Sequence, residues 1–263
     1  MTEPKRPDGL MIWPDLLERE RPSPDRALRY GDKVMQAVDL WLPAGPGPHR
    51  VVLMVHGGCW QSDIADRNIM AWIADDLRRR GIAVWTIDYR GVDRDGGGYP
   101  GTFLDAAAAT DALRDHAEAY RLDLSKLVAV GHSAGGHLAL WLAGRRGLPP
   151  ASPLRSANPQ PIHFVVSLGG LPDLELAATP PVRRATISVP RLAPLRVPQL
   201  LVNGNQDRII PIAYAEDYAA RMRAAGDPVE VRMVDRTGHV ELIAPESAAW
   251  AVTAQAIERA FGR

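Results

Sequence analysis

The fold of this chain is decided by one stretch, Leu127-Val128-Ala129-Val130-Gly131-His132-Ser133-Ala134-Gly135. An apolar, β-branched run precedes the serine, and a helix-forming stretch from His137 to Ala143 follows it. The pattern predicts a strand, a sharp turn and a helix, with Ser133 at the apex of the turn. A residue on so tight a turn has a strained backbone, and the flanking glycines remove side chains that would clash. We interpret the stretch as a nucleophile elbow, which exposes the Ser133 hydroxyl at the positive N-terminus of the following helix.

Short apolar runs alternate with longer helical patterns along the chain. Strands are predicted at 27–30, 36–42, 51–55, 83–87, 127–130, 164–168, 199–202 and 229–234, and the main helices at 67–80, 104–120, 137–143 and 247–261. This alternation predicts an α/β fold with a mostly parallel sheet of about eight strands, covered by helices on both faces. In such sheets the ligand binds beyond the carboxyl ends of the strands.

The chain reads as one domain with a polar N-terminal arm. We assign residues 1–26 to the arm, which contains a short apolar patch at 10–13, and residues 27–263 to a single α/β domain. The segment 172–197 is short and rich in proline, so any cap over the site is expected to be minimal. The glycine-rich stretch 96–101 lacks the lysine of a phosphate-binding loop and predicts a mobile loop at the edge of the cleft.

Composition narrows the classes of partner. The 263 residues carry 31 basic and 31 acidic side chains, so no global field attracts nucleic acid or an anionic membrane. No stretch approaches the roughly 20 apolar residues of a membrane span. The single cysteine, Cys59, excludes an internal disulfide. We expect a cytoplasmic protein that acts on a small molecule, and the sequence leaves monomer and homodimer open.

Ser133 needs a general base held by an acidic group, because a serine hydroxyl is a poor nucleophile at neutral pH. For an elbow the expected chain order is serine, acid, histidine. Asp207 follows the predicted strand 199–202, and His239 follows the strand 229–234. Both therefore belong on loops at the same sheet edge as Ser133. We predict Ser133, Asp207 and His239 as the catalytic residues.

Other residues compete for these roles. Asp173 also follows a strand and is the rival acid, although the spacing favours Asp207. His137 lies in the first turn of the elbow helix and is expected to pack internally rather than act as the base. His132 is expected to point away from Ser133, in a structural or pocket-wall role. Glu241 is expected to be a solvated neighbour of His239.

A second motif, His56-Gly57-Gly58-Cys59-Trp60, follows the predicted strand 51–55. Acyl transfer places negative charge on the substrate oxygen, which backbone N–H groups must meet. We predict an oxyanion hole formed by the amides of Gly58, Cys59 and Ala134. Candidate pocket residues are Gly57, Trp60 and His132, and His56 is expected to shape the loop by local hydrogen bonds. No His/Asp/Glu group has metal-ligand spacing here, so we expect neither a metal nor another cofactor.

The chain resembles the α/β-hydrolase fold, and more closely the kynurenine-formamidase-like and hormone-sensitive-lipase-like esterases. The resemblance runs over about 27–261 and rests on the motifs at 56–60, 88–90, 131–139, 207–211 and 238–239. It implies a serine hydrolase with the Ser-Asp-His arrangement above. Cys59 departs from the pattern, because lipase-like relatives have glycine there and formamidase-like relatives often have an aromatic residue. The segment before Val197 is also shorter than in many relatives.

Two enzyme functions and one non-catalytic function fit these residues. The leading hypothesis is cleavage of small carboxylic esters through an acyl-enzyme. The alternative is an arylformamidase that cleaves an amide of the N-formylkynurenine type. A hydrolase-like binding module is the remote third possibility, against which the three intact candidate residues argue.

Overall fold

The computed structural model describes residues 9–174 and 188–262 of the chain. Most of the segment expected to form a minimal cap, 175–187, lies outside the described residues. The strands are β1 (Arg26–Arg29), β2 (Ala37–Trp41), β3 (His49–Val55), β4 (Ala83–Ile87), β5 (Leu122–His132), β6 (Phe164–Leu168), β7 (Gln199–Gly204) and β8 (Val229–Val234). The helices are α1 (Trp13–Leu17), α2 (Ala71–Arg79), α3 (Gly98–Asp111), α4 (Leu113–Ala117), α5 (Ala134–Gly144), α6 (Ala213–Ala224) and α7 (Ala248–Ala260).

The eight strands among the described residues form one sheet in the order β1-β2-β4-β3-β5-β6-β7-β8. Strand β2 runs antiparallel to both of its neighbours, β1 and β4. The other six strands, β3 to β8, pair with one another in parallel. The predicted α/β architecture with a mostly parallel sheet is confirmed. Because these six strands are parallel, the loops after β3, β5, β6, β7 and β8 lie at one edge of the sheet.

Helices cover both faces of the sheet, as the continuous apolar strands require. The alternation of β3 shows the two layers: Val51, Leu53 and Val55 belong to one buried cluster, and Val52 and Met54 to the other. The first cluster is completed by side chains of α3, α5 and α6, and the second by α1, α2 and α7. Burying both faces fixes the strand register, because a slip of one residue would exchange the two layers.

The structure differs from the sequence prediction around the glycine-rich stretch. The helix predicted at 104–120 is divided into α3 and α4, and α3 already begins at Gly98. The Thr102 hydroxyl accepts a hydrogen bond from the Gly98 N–H at 3.0 Å, which stabilises this early start. A Cβ atom at Gly101 would lie 1.6 Å from the carbonyl oxygen of Gly96. Tyr99 has an extended backbone (φ −91°, ψ 128°), so the regular helix follows a kink there, and the expected loop 96–101 is closely packed on itself.

Two further elements were not predicted. Helix α6 buries Ala215, Tyr218, Ala219 and Met222, which recur at helical spacing. Helix α1 lies in the N-terminal arm, where its Leu16 is fully buried in the second cluster. The arm residues that the structure describes thus pack against the α/β domain. Within residues 9–174 and 188–262, no helix combines the length and the apolar character that crossing a bilayer requires.

Candidate active site

Ser133 lies at the turn between β5 and α5 with a left-handed backbone, φ 54° and ψ −122°. Its N–H donates to the carbonyl oxygen of Leu168 at 2.8 Å, which ties the turn to the end of β6. A Cβ atom at Gly131 would lie 2.0 Å from the carbonyl oxygen of Gly135. One at Gly135 would lie 2.2 Å from the carbonyl oxygen of Val55. Gly131 is therefore required for the elbow to fold back on itself, and Gly135 for the elbow to pack against β3. These contacts maintain the strained backbone of Ser133.

Asp207 and His239 meet on the loops that follow β7 and β8. His239 Nδ1 lies 2.7 Å from Asp207 Oδ2, and both side chains are buried. The other carboxylate oxygen, Asp207 Oδ1, accepts hydrogen bonds from the N–H groups of Ile209 at 2.8 Å and Ile210 at 2.9 Å. These bonds orient the carboxylate, which in turn fixes the proton of a neutral imidazole on Nδ1 and leaves Nε2 as the acceptor.

The end of β6 lies between the elbow and this pair. Gly169 follows Leu168, the residue that accepts the Ser133 N–H. A Cβ atom at Gly169 would lie 3.1 Å from Asp207 Oδ2 and 3.2 Å from His239 Cε1, and its φ is +52°. A larger residue would therefore crowd the pair. The structure thus brings Ser133, Asp207 and His239 to one end of the sheet, after strands β5, β7 and β8.

Asp173, the rival acid, has other partners. The Ser188 hydroxyl donates to Asp173 Oδ1 at 2.6 Å, and the Arg221 guanidinium forms an ion pair with Oδ2. Desolvation lowers the pKa of the Arg221 guanidinium, but the hydrogen bonds and negative charges of Asp173 and Asp217 together outweigh it, so the pKa is raised. The described contacts pair His239 with Asp207 and Asp173 with Arg221.

His132 packs against His239. The two rings are 4.5 Å apart between centroids, and His132 Nε2 lies 3.1 Å from the carbonyl oxygen of His239, to which it can only donate. Only 1% of His132 is exposed, which favours the structural role over the pocket-wall role that the sequence left open. Burial, and secondarily His239, hold the pKa of His132 well below its usual range. His132 is therefore a neutral support for the His239 loop.

His137 is fully buried in α5, at the aromatic cluster beneath the cleft. Its ring meets Trp60 edge-on at 5.5 Å and Phe103 at 5.8 Å. The packed position matches the expectation from its place in the first turn. Trp60 is half-buried between this cluster and the surface, so it can still form part of a pocket wall.

The second motif forms a loop that packs directly on Ser133. A Cβ atom at Gly57 would lie 3.0 Å from the Cβ atom of Ser133. The next three residues have left-handed backbones: φ is +98° at Gly58, 52° at Cys59 and 57° at Trp60. Three such residues in succession turn the chain sharply and expose Cys59 at the tip. The loop backbone therefore lies beside the serine, where the predicted oxyanion hole would need N–H donors.

A buried ionic network anchors this loop to the sheet. His56 Nδ1 lies 2.7 Å from the Gly57 carbonyl oxygen, and Nε2 lies 2.9 Å from Asp88 Oδ1. Asp88 Oδ2 accepts from Arg67 at 2.9 Å. The Tyr89 ring stacks on His56 at 4.3 Å and its hydroxyl donates to the His56 carbonyl oxygen at 2.9 Å. His56 thus holds the loop by hydrogen bonds, and two residues of the motif at 88–90, Asp88 and Tyr89, hold His56 in place.

Glu241 is buried, so the expectation of a solvated residue is wrong. It lies in a 3-10 turn that directs its carboxylate inward, and only 8% of it is exposed. Its Oε1 accepts the N–H of Met11 at 2.6 Å, and its Oε2 accepts the N–H of Gly238 at 3.0 Å. Trp13, which the sequence did not indicate, lies edge-on to His132 at 6.1 Å and to His239 at 6.4 Å. The only sequence signal was the apolar patch at 10–13.

In the part of the chain that the structure describes, no three His, Cys, Asp or Glu side chains come together in an arrangement suited to a metal ion. The functional groups at this edge of the sheet are the hydroxyl of Ser133, the imidazole of His239, the carboxylate of Asp207 and the glycine-containing loop 56–60. Such a set can perform nucleophilic catalysis with general-base assistance.

The sheet order and the elbow define an α/β-hydrolase fold. The chain belongs to the BD-FAE family, whose pattern matches residues 38–179, more than half of the chain. It is 27% identical to Esterase LipC of Mycobacterium tuberculosis, in an alignment that covers 81% of this chain and 63% of that protein. The chain therefore spans less than two thirds of the length of this relative.

Two solved structures share the fold at low sequence identity. A truncated carbohydrate esterase from gut microbiota has a TM-score of 0.77 and 18% identity, with 92% of this chain and 98% of the other covered. Esterase 2 of Thermogutta terrifontis, with propionate bound, has a TM-score of 0.73 and 20% identity, with 92% and 95% covered. At this identity the likeness shows the fold.

Proposed function

We propose that this protein is a serine hydrolase that cleaves small carboxylic esters through an acyl-enzyme on Ser133. The observation that carries the proposal is the 2.7 Å contact between Asp207 and His239, at the sheet edge where Ser133 occupies a strained elbow. Membership of the BD-FAE family and the similarity to Esterase LipC support it. A fold alone would not, because one fold serves many functions.

The proposed reaction uses each residue at a named atom. His239 Nε2 accepts the proton of the Ser133 hydroxyl as Oγ attacks the ester carbonyl carbon, and Asp207 stabilises the imidazolium that forms. The amides of Gly58, Cys59 and Ala134 donate to the oxyanion. The tetrahedral intermediate then expels the alcohol, which takes the proton from His239. Water repeats the sequence, with His239 again as the base, and releases the carboxylic acid.

A substrate panel tests this function against its alternative. Purified protein is offered p-nitrophenyl esters of increasing chain length and, separately, N-formylkynurenine. We expect ester hydrolysis with the larger kcat/KM. Turnover of the formamide with no turnover of any ester would assign the protein as an arylformamidase instead. No turnover of either, with no active-site labelling, would leave the non-catalytic binding module.

The oxyanion hole is tested at Cys59, where a role of the backbone N–H and a role of the thiol predict different results. If only the N–H acts, Cys59→Ala and Cys59→Gly retain activity within about tenfold, whereas losing an oxyanion donor costs roughly 10²-fold or more. We expect the first result, measured as kcat on the best ester. Loss of nearly all activity in Cys59→Ala, or its resistance to peroxide that inactivates the wild type, would assign a role to the thiol.

The acyl chain accepted by the site is expected to be short. A minimal cap buries little apolar surface, and each CH₂ left in water forgoes about 0.8 kcal/mol of binding. We expect kcat/KM on p-nitrophenyl esters to peak between acetate and hexanoate. A maximum at decanoate or beyond would indicate that the N-terminal arm covers the site as a lid.

A further inference from the structure

We propose that Trp13, held by Glu241, forms the wall of the cleft that receives the alcohol part of the ester and is a specificity-determining residue. The inference rests on the proposed function, because it places the alcohol part of the ester beside His239, the proposed general base. It concerns residues 9–17 of the N-terminal arm, which carry no motif of the hydrolase fold.

The first step is the anchoring of the arm on the histidine loop. The two oxygens of the Glu241 carboxylate accept hydrogen bonds from two segments that are far apart in the sequence. Oε1 accepts the N–H of Met11 at 2.6 Å, and Oε2 accepts the N–H of Gly238 at 3.0 Å. Gly238 directly precedes His239. A buried carboxylate with both oxygens engaged is a strong and directional link. The backbone at residue 11 is thus fixed relative to the backbone at residue 238.

The second step is the contact that this link creates. Two residues after Met11, the Trp13 ring lies edge-on to the His239 ring, with 6.4 Å between centroids and an interplanar angle of 78°. It also lies edge-on to His132, at 6.1 Å and 73°. Edge-to-face pairs at such distances are a favoured aromatic geometry. Trp13 is half-buried, so part of this residue remains accessible beside His239.

The third step relates this position to the substrate. His239 must return its proton to the departing oxygen, so the alcohol part of the ester lies beside the His239 ring during the reaction. A tryptophan bordering that ring offers a broad apolar surface to an aromatic or apolar alcohol. A small alkyl alcohol has little surface to place against it. Trp13 is therefore expected to favour aryl esters over ethyl esters of the same acid.

The test compares two acetates that differ only in the alcohol. We expect Trp13→Ala to lower kcat/KM for 2-naphthyl acetate about tenfold more than for ethyl acetate, which corresponds to ~1.4 kcal/mol of transition-state stabilisation. Trp13→Phe keeps an aromatic ring and should restore most of the preference. Leu17→Ala is the matched control, because Leu17 lies on the same short helix and is 47% exposed. Its ratio of the two rates should equal that of the wild type.

An independent measurement follows the contact itself. In protein labelled at histidine, Trp13→Ala should shift the ring resonances of His239 and His132, and Leu17→Ala should leave them in place. Glu241→Gln removes the charge that holds residue 11 and should shift them in the same direction. An unchanged ester ratio in Trp13→Ala would overturn this inference while leaving the proposed function intact. A change along the acyl series instead of the alcohol series would also overturn it, whereas a wild type inert toward every ester would contradict the proposed function.

Discussion

Ser133→Ala is expected to lower kcat by roughly 10⁴- to 10⁶-fold on any ester that the wild type hydrolyses. The reason is that the hydroxyl is the only atom at the elbow that can form the acyl-enzyme in the proposed reaction. The fold should survive, because the turn is held by the Ser133 backbone N–H and by the glycines around it. The measurement is kcat under saturating ester, with circular dichroism to establish that the variant is folded.

Ser125→Ala is the matched control for this variant. Ser125 is an exposed serine on the same strand, β5, near the end away from the elbow. Its replacement should leave kcat close to that of the wild type. If Ser133→Ala keeps more than about a tenth of the wild-type rate, when loss of a nucleophile costs orders of magnitude, Ser133 is not the nucleophile.

Asp207→Asn is expected to lower kcat by about 10⁴-fold. An amide can hold the imidazole with its proton on Nε2, and that nitrogen then cannot accept the serine proton. The change is nearly isosteric, so the hydrogen bonds from Ile209 and Ile210 to Oδ1 have a carbonyl oxygen to receive them. The expected loss therefore reports on the protonation of His239 rather than on the shape of the loop.

Asp173→Asn is the comparison that decides between the two acids. Asp173 is buried and paired with Arg221, so removing its charge should lower the melting temperature. The activity of the protein that remains folded should fall only slightly. The reverse ranking, with a large loss of kcat in Asp173→Asn and a small one in Asp207→Asn, would give Asp173 the role of orienting acid.

Much of the fold could be predicted from the sequence because its signals are local. The strands of the parallel sheet are buried on both faces, so each is a continuous apolar run. The elbow is readable because its glycines are required by contacts within a few residues and with the neighbouring strand end. Helix α6 was missed, although its buried residues have helical spacing, because alanines and arginines weaken the contrast between its faces.

The surroundings of His239 could not be predicted in the same way. The bond between Met11 and Glu241 joins residues separated by 230 positions, and no local pattern encodes it. Glu241 looked solvated because a charged residue usually is, and its burial follows only from the two N–H groups that meet its oxygens. The same holds for His132, whose place behind His239 depends on how β5 and the loop after β8 come together.

The most direct test of the proposed function is covalent labelling with a fluorophosphonate probe, read by peptide mass spectrometry. The probe reacts with an activated serine and needs no knowledge of the substrate. We expect the wild type to carry one probe adduct, on the peptide containing Ser133, and we expect Ser133→Ala to carry none. An adduct that persists in Ser133→Ala, or a wild type that stays unlabelled while folded, would contradict the assignment of Ser133 as an activated nucleophile.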